Sequence, residues 1–97
     1  MKILPEPIEF EWDEGNIGKN KKHGVEDSEA EEVFFDGTKK IFKDEIHSIE
    51  ETRRRIIGNT KKGRLLFIAF TLRNNKIRVI SARSINKKEV YLYEETT

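Results

Sequence analysis

The segment Arg64-Leu65-Leu66-Phe67-Ile68-Ala69-Phe70-Thr71-Leu72 is almost continuously apolar and lies between two turn signals, Lys61-Lys62-Gly63 and Asn74-Asn75. A run of this length bounded by such turns predicts a strand covered on much of both faces. Arg53 to Thr60 and Lys76 to Arg83 flank it with further strand-forming residues. Connections this short join only antiparallel neighbours, so a meander is expected with the apolar run at its centre.

The Asn74-Asn75 turn also predicts a register. Read as a two-residue turn, it pairs Arg73 with Lys76, Thr71 with Arg78, Ala69 with Ile80 and Phe67 with Ala82, and paired residues share a face. One face then carries Arg73, Lys76, Arg78 and Thr71. The other carries Leu66, Ile68, Phe70, Leu72, Ile77 and Val79, with Arg64, Ser81 and Arg83 toward its far end. The parity of Arg53-Arg54-Arg55 depends on whether the Lys61–Gly63 turn has two or three residues. Either choice places at least one of these arginines on the basic face.

Elsewhere, Ile8, Phe10 and Trp12 alternate with acidic residues, which reads as a short strand with those three buried. Asp13 to His23 is polar and runs from an N-cap residue to Gly24, predicting a first helix with cations in its last turn. A second helix is expected from Asp27 or Ser28 through Phe35, with Ala30, Val33 and Phe34 as its core stripe and Gly37 as its stop. Thr38 to Glu51 reads as an irregular connection with a short strand near Ile41-Phe42 and Ile46. Ile85 to Glu95 returns to helical spacing. The fold class is therefore α+β, an antiparallel sheet of about four strands with helices packed on one face, in a single domain spanning residues 1–97.

Charge narrows the function. The 97 residues hold 19 Lys and Arg against 18 Asp and Glu, yet residues 53–88 contain twelve of the cations and no acid. That segment carries +12, residues 1–52 carry −8 and residues 89–97 carry −3. Cations crowded in this way repel one another unless a polyanion or an acidic partner meets them, and nucleic acid is the first candidate. The absence of Cys excludes disulfides and thiolate metal sites. No apolar segment approaches the roughly 20 residues of a membrane span, and no signal region opens the chain, so a cytoplasmic location without membrane contact is expected. No constellation of metal ligands is recognisable, and no cofactor is expected.

Several blocks taken together are specific: Phe10-Glu11-Trp12-Asp13, Lys22-His23-Gly24-Val25, Ala30, Val33-Phe34, Asp36, Arg55-Ile56-Ile57-Gly58, Gly63-Arg64-Leu65-Leu66, Phe70-Thr71, Ile77-Arg78-Val79-Ile80-Ser81-Ala82-Arg83, Glu89 and Tyr93. In order and spacing they resemble the BrnT family of toxins over nearly the whole chain. The resemblance implies a RelE-like fold, a ribonuclease activity that arrests translation, and a BrnA-type antitoxin as partner in a hetero-oligomer. The chain departs from the usual pattern at Glu26-Asp27-Ser28 and in the connection from Gly37 to Ser48.

Metal-free RNA cleavage needs a base for the ribose 2′-OH, cations for the charge that builds on phosphorus, and an acid for the leaving oxygen. Arginine suits the second task, because its planar fork binds phosphate oxygens in pairs and stays charged. Arg78 and Arg83, with Arg64 nearby, are the candidates. His23, with Lys21 and Lys22 beside it, is the candidate base near neutral pH, although a histidine before a helix-stopping glycine is commonly only a cap. His47 and Glu51 are weaker alternatives. Lys21, Lys22, Arg55, Arg73 and Lys76 are candidate RNA contacts. Trp12 and Phe10 fit core packing better than base stacking, and Tyr91 and Tyr93 fit contact with the antitoxin. Two other readings stay open: a non-catalytic RNA-binding module, for which the basic segment suffices, and a protein-binding domain whose basic surface meets an acidic partner.

Overall fold

The computed structural model describes residues 4–44 and 52–94. Four strands, β1 (Lys40–Lys43), β2 (Arg53–Asn59), β3 (Leu65–Arg73) and β4 (Lys76–Ser84), form one antiparallel meander in the order β1-β2-β3-β4. The expected α+β class and the central position of the apolar strand are borne out. Asn74 and Asn75 both adopt positive φ, 53° and 63°. That is the geometry of a type I′ turn, whose twist matches the flanking strands. At the other hairpin Thr60 and Arg64 bracket Lys61-Lys62-Gly63, with the Thr60 amide donating to the Arg64 carbonyl and Gly63 left-handed at φ 81°. The turn is therefore the three-residue form, which places Arg53 and Arg55 on the basic face and Arg54 on the other.

The first face of the sheet is the core. Helix α1 (Asp27–Val33) begins with a capping box in which the Glu26 amide donates to the Glu29 carboxylate. It lays Ala30 and Val33, followed by Phe34, against Ile56, Leu66, Ile68, Phe70, Ile77 and Val79, all of them buried. Each of these side chains larger than alanine contributes roughly 1.5–3 kcal/mol of transfer free energy. Phe34 sits at the centre, edge-on to Phe70 at 5.1 Å and to Phe10 at 5.3 Å. Gly58 lets α1 approach: a Cβ there would stand 2.9 Å from the Val33 Cγ1 and 3.2 Å from the Asp36 carboxylate. Phe10 and Trp12 pack against this core, as expected.

Three parts of the expected fold are corrected, the first being the N-terminal segment, where neither the strand over residues 8–12 nor the helix over residues 13–23 forms. Asp13 to His23 is not a helix but a turn followed by a 3-10 segment over Lys19–His23, with Gly18 left-handed at φ 66°. Its buried asparagines face β4 instead: Asn16 Nδ2 donates to the Val79 carbonyl at 3.2 Å, and Asn20 Oδ1 accepts from the Ala82 amide at 2.9 Å. Residues 8–12 make only one bridge, Phe10 beside Ile77, with the Glu11 amide donating to the Ile77 carbonyl and the Ile77 amide to the Glu9 carbonyl. Together these contacts satisfy the outer edge of β4, which would otherwise present unpaired backbone groups.

The second correction is a β-bulge. Phe70 pairs with Val79 but Ala69 pairs with Ser81, so Ile80 is an extra residue in β4. A bulge of this kind reverses the parity of everything beyond it. Ala82 consequently enters the core at 0% exposure, while Ser81 and Arg83 move to the basic face, Arg83 opposite Phe67. The third concerns the helices. A 3-10 turn over Lys87–Glu89 and helix α2 (Val90–Glu94) pack on the second face, where Leu92 shares a cavity with Phe42, Arg55 and Phe67. Tyr93 ties α2 down through hydrogen bonds with Asp36, Thr38 and Asn59.

Candidate functional site

The second face of the sheet is a stripe of arginines. From the Asn74-Asn75 end it runs through Arg73, Lys76 and Arg78, past Arg53 and Arg55, to Arg83. The expectation that Arg73, Lys76, Arg78 and Thr71 share one face is met. Acidic residues from outside the basic segment fold against these cations, so the stripe is less bare than the charge count suggests.

Arg78 is the most enclosed. Its side chain is 14% exposed, and its guanidinium clamps Asp13 through two hydrogen bonds of 2.9 Å, with Glu11 at 3.1 Å. Hydrogen bonds from Arg78 hold the Asp13 carboxyl below its usual value, and the same contacts raise Arg78. Gly15 makes room for the pair, since a Cβ there would meet the Arg78 Nη2 at 2.5 Å. Arg73 lies 3.7 Å from Glu11. The arrangement clips the N-terminal segment to β4.

Arg64 serves the opposite end of the core face. Its Nη1 donates to the Gly24 carbonyl at 2.7 Å, and its Nε and Nη2 both reach the Ser84 hydroxyl. Glu29 is 3.4 Å away. His23, Lys21 and Lys22 lie exposed on the neighbouring 3-10 turn, where Arg64 staples that turn to the hairpin. His47 and Glu51 lie outside the described residues.

The centre of the second face differs from both ends. Phe67 is flanked by two guanidinium groups, with the Arg83 carbon 4.6 Å and the Arg55 carbon 5.3 Å from its ring centroid. Arg83 forms a fork-to-fork pair with Glu89, two bonds of 2.8 Å. Those bonds keep the Glu89 carboxyl below its ordinary value against the opposing effect of burial, and Arg55 adds to the effect. Arg55 is held by its Nε alone, 3.2 Å from the buried Asp44 carboxylate. Among the described residues no hydrogen bond takes its Nη1 or Nη2. Two cavities, of about 400 and 260 Å³, meet here and share Asp44, Arg55 and Phe67 as walls.

The sequence candidates therefore divide among three places. Arg83 and Arg55 come together around Phe67, Arg78 groups with Arg73 and Lys76 at the hairpin end, and Arg64 lies near His23, Lys21 and Lys22 on the far side. Sequence reasoning did not single out Phe67, Asp44 or Arg53 for this centre. Glu89 carried a usable signal, because Asn86 and Glu89 make a capping box that fixes the carboxylate just beyond β4.

Among the described residues no helix is long and apolar enough to cross a membrane. No curated protein sequence matches the chain. A family model described as the ribonuclease toxin, BrnT, of type II toxin–antitoxin systems matches residues 12–89, most of the chain. That span contains both walls of the arginine stripe, from the clip at Asp13 to the Arg83–Glu89 pair, and the chain belongs to the BrnT family of ribonuclease toxins.

Proposed function

We propose that this chain is an endoribonuclease that cuts RNA without a metal ion, halts translation in the cytoplasm of the cell that makes it, and is neutralised by a BrnA-like antitoxin in a hetero-oligomer. The reaction surface is the centre of the second sheet face. One observation carries the reading: Arg55 is fixed by Asp44 and Phe67 while its two terminal nitrogens stay open over adjoining cavities. A guanidinium anchored at Nε with both Nη groups available is preorganised for two phosphate oxygens.

In this reading Arg55 grips the scissile phosphate and Arg83 neutralises the charge that builds on it. Glu89 takes the proton of the 2′-OH as that oxygen attacks phosphorus. The bond to the 5′ oxygen breaks, the leaving oxygen takes a proton from solvent, and a 2′,3′-cyclic phosphate remains. Because Arg83 holds Glu89 in its charged form, the base is ready throughout the neutral range, with less intrinsic basicity than a free carboxylate. Arg73 and Lys76 at one end, and Lys21, Lys22 and His23 at the other, extend the contact with the backbone. Arg64 and Arg78 support the surface by holding its two ends.

The alternative, a non-catalytic RNA-binding or protein-binding module, draws on the pairing of both Arg83 nitrogens with Glu89. The two readings separate in one experiment. Purified chain incubated with single-stranded RNA in EDTA is expected to yield fragments ending in 2′,3′-cyclic phosphate, and tight RNA binding with no scission would favour the module.

A further inference from the structure

The two cavities that meet at Arg55 differ in character. The smaller brings the cations Arg53, Arg55 and Arg83 together with Asp44 and Ser81, over an apolar floor of Phe67, Ala69 and Ile80. The larger, about 400 Å³, has more apolar wall, Phe42 from β1, Phe67 from β3 and Leu92 from α2, beside the charged Lys43, Asp44, Arg55 and Glu89, and its size is within the range of small-ligand pockets. Arg55 and Phe67 stand between them. A nucleotide has the same division, an apolar base on one side of a charged phosphate.

We infer that the larger cavity is a nucleobase subsite, in which one base of single-stranded RNA packs against Phe42 and Leu92 while its phosphate engages the open nitrogens of Arg55. The inference rests on the reaction surface proposed above and adds to it the place that selects the nucleotide. Phe42 reaches this face because it pairs with Arg55 across β1 and β2. Its ring is partly exposed, whereas Phe67 is nearly covered by the two guanidinium groups. Phe42 is therefore the stacking surface and Phe67 the support that orients the arginines.

The test uses short RNA oligonucleotides that carry 2′-O-methyl groups and cannot be cut, with affinity read by fluorescence anisotropy. A series in which each position in turn is abasic is expected to show one position where loss of the base weakens binding to the unaltered protein by roughly 5- to 150-fold, the range measured for a single base–aromatic stack. Phe42→Ala is expected to weaken binding of the intact oligonucleotide by a similar factor and to lose sensitivity to that position. An abasic series that binds uniformly overturns the inference, as does Phe42→Ala protein that stays sensitive to the same position, which would place the base contact away from this cavity. Arg55→Ala separates the two proposals. If it leaves RNA affinity unchanged, the reaction surface itself is misassigned. If it weakens binding while the abasic series is uniform, only the nucleobase subsite fails.

Discussion

Arg55→Lys isolates what the open guanidinium fork does. Lysine keeps one positive charge beside Asp44, so the buried carboxylate retains a cation and the fold is expected to survive. What is lost is the ability to hold Asp44 and two phosphate oxygens at once, because an ammonium is a point charge rather than a fork. A hydrogen bond to a charged group is worth about 1.5–3 kcal/mol. Losing one such bond together with its geometry is expected to cost about 2–3 kcal/mol in the transition state, or roughly 30- to 150-fold in kcat/KM. The salt dependence of RNA binding is expected to stay the same for Arg55→Lys and to fall by about one unit of slope for Arg55→Ala, which removes a phosphate contact outright. Steady-state cleavage of a fluorogenic RNA and anisotropy titrations at several salt concentrations measure both. Arg55→Lys activity within threefold of the unaltered protein would refute the reasoning, since charge alone would then suffice.

Three further outcomes probe the fold. Gly58→Ala places a methyl 2.9 Å from Val33 and 3.2 Å from the Asp36 carboxylate, and is expected to destabilise by about 1–3 kcal/mol in urea denaturation. Asn75, at φ 63° in the type I′ turn, is a position where glycine is unstrained, so Asn75→Gly is expected to raise stability by up to about 1 kcal/mol. Burial pushes the Asp36 carboxyl up, but donors from the Asn59 amide, the Thr38 amide and hydroxyl, and Tyr93 outweigh it and leave the value lowered to about 2 from 3.8. A depressed carboxylate stabilises fully above its unfolded value and loses that contribution as pH falls from about 4 toward 2. After discount for its partial exposure the contribution is on the order of 1 kcal/mol, visible as a loss of melting temperature over that range that Asp36→Asn does not show.

Local signals made much of the sheet legible. The apolar run, the paired asparagines and the Ala30, Val33, Phe34 stripe each follow from a few neighbouring residues, and each appears where the spacing places it. The bulge at Ile80 left no such trace, because Val79-Ile80-Ser81-Ala82 reads equally well as continuous alternation. It accompanies a contact from 62 positions earlier in the chain, Asn20 accepting from the Ala82 amide. The same distance hid the site. Arg83 reaches Phe67 only once the bulge has reversed its parity. Arg78 was legible as a cation on the sheet, but Asp13 and Glu11 lie far from it in sequence and meet it only because residues 9–20 run along the edge of β4. Polar residues at 13–23 resembled a helix because asparagines that satisfy a distant strand edge have no local signature.

The claim that the reaction surface is the centre of the second face is tested most directly by comparing Arg83→Ala with Arg64→Ala. Both variants are first checked for folding by circular dichroism, and RNA cleavage is then measured in EDTA. The account predicts that Arg83→Ala loses on the order of 10²- to 10³-fold, as expected for removal of a donor that meets charge in the transition state, while Arg64→Ala stays within a few-fold of the unaltered protein. Greater loss in Arg64→Ala than in Arg83→Ala would contradict it and move the chemistry to the turn that carries His23.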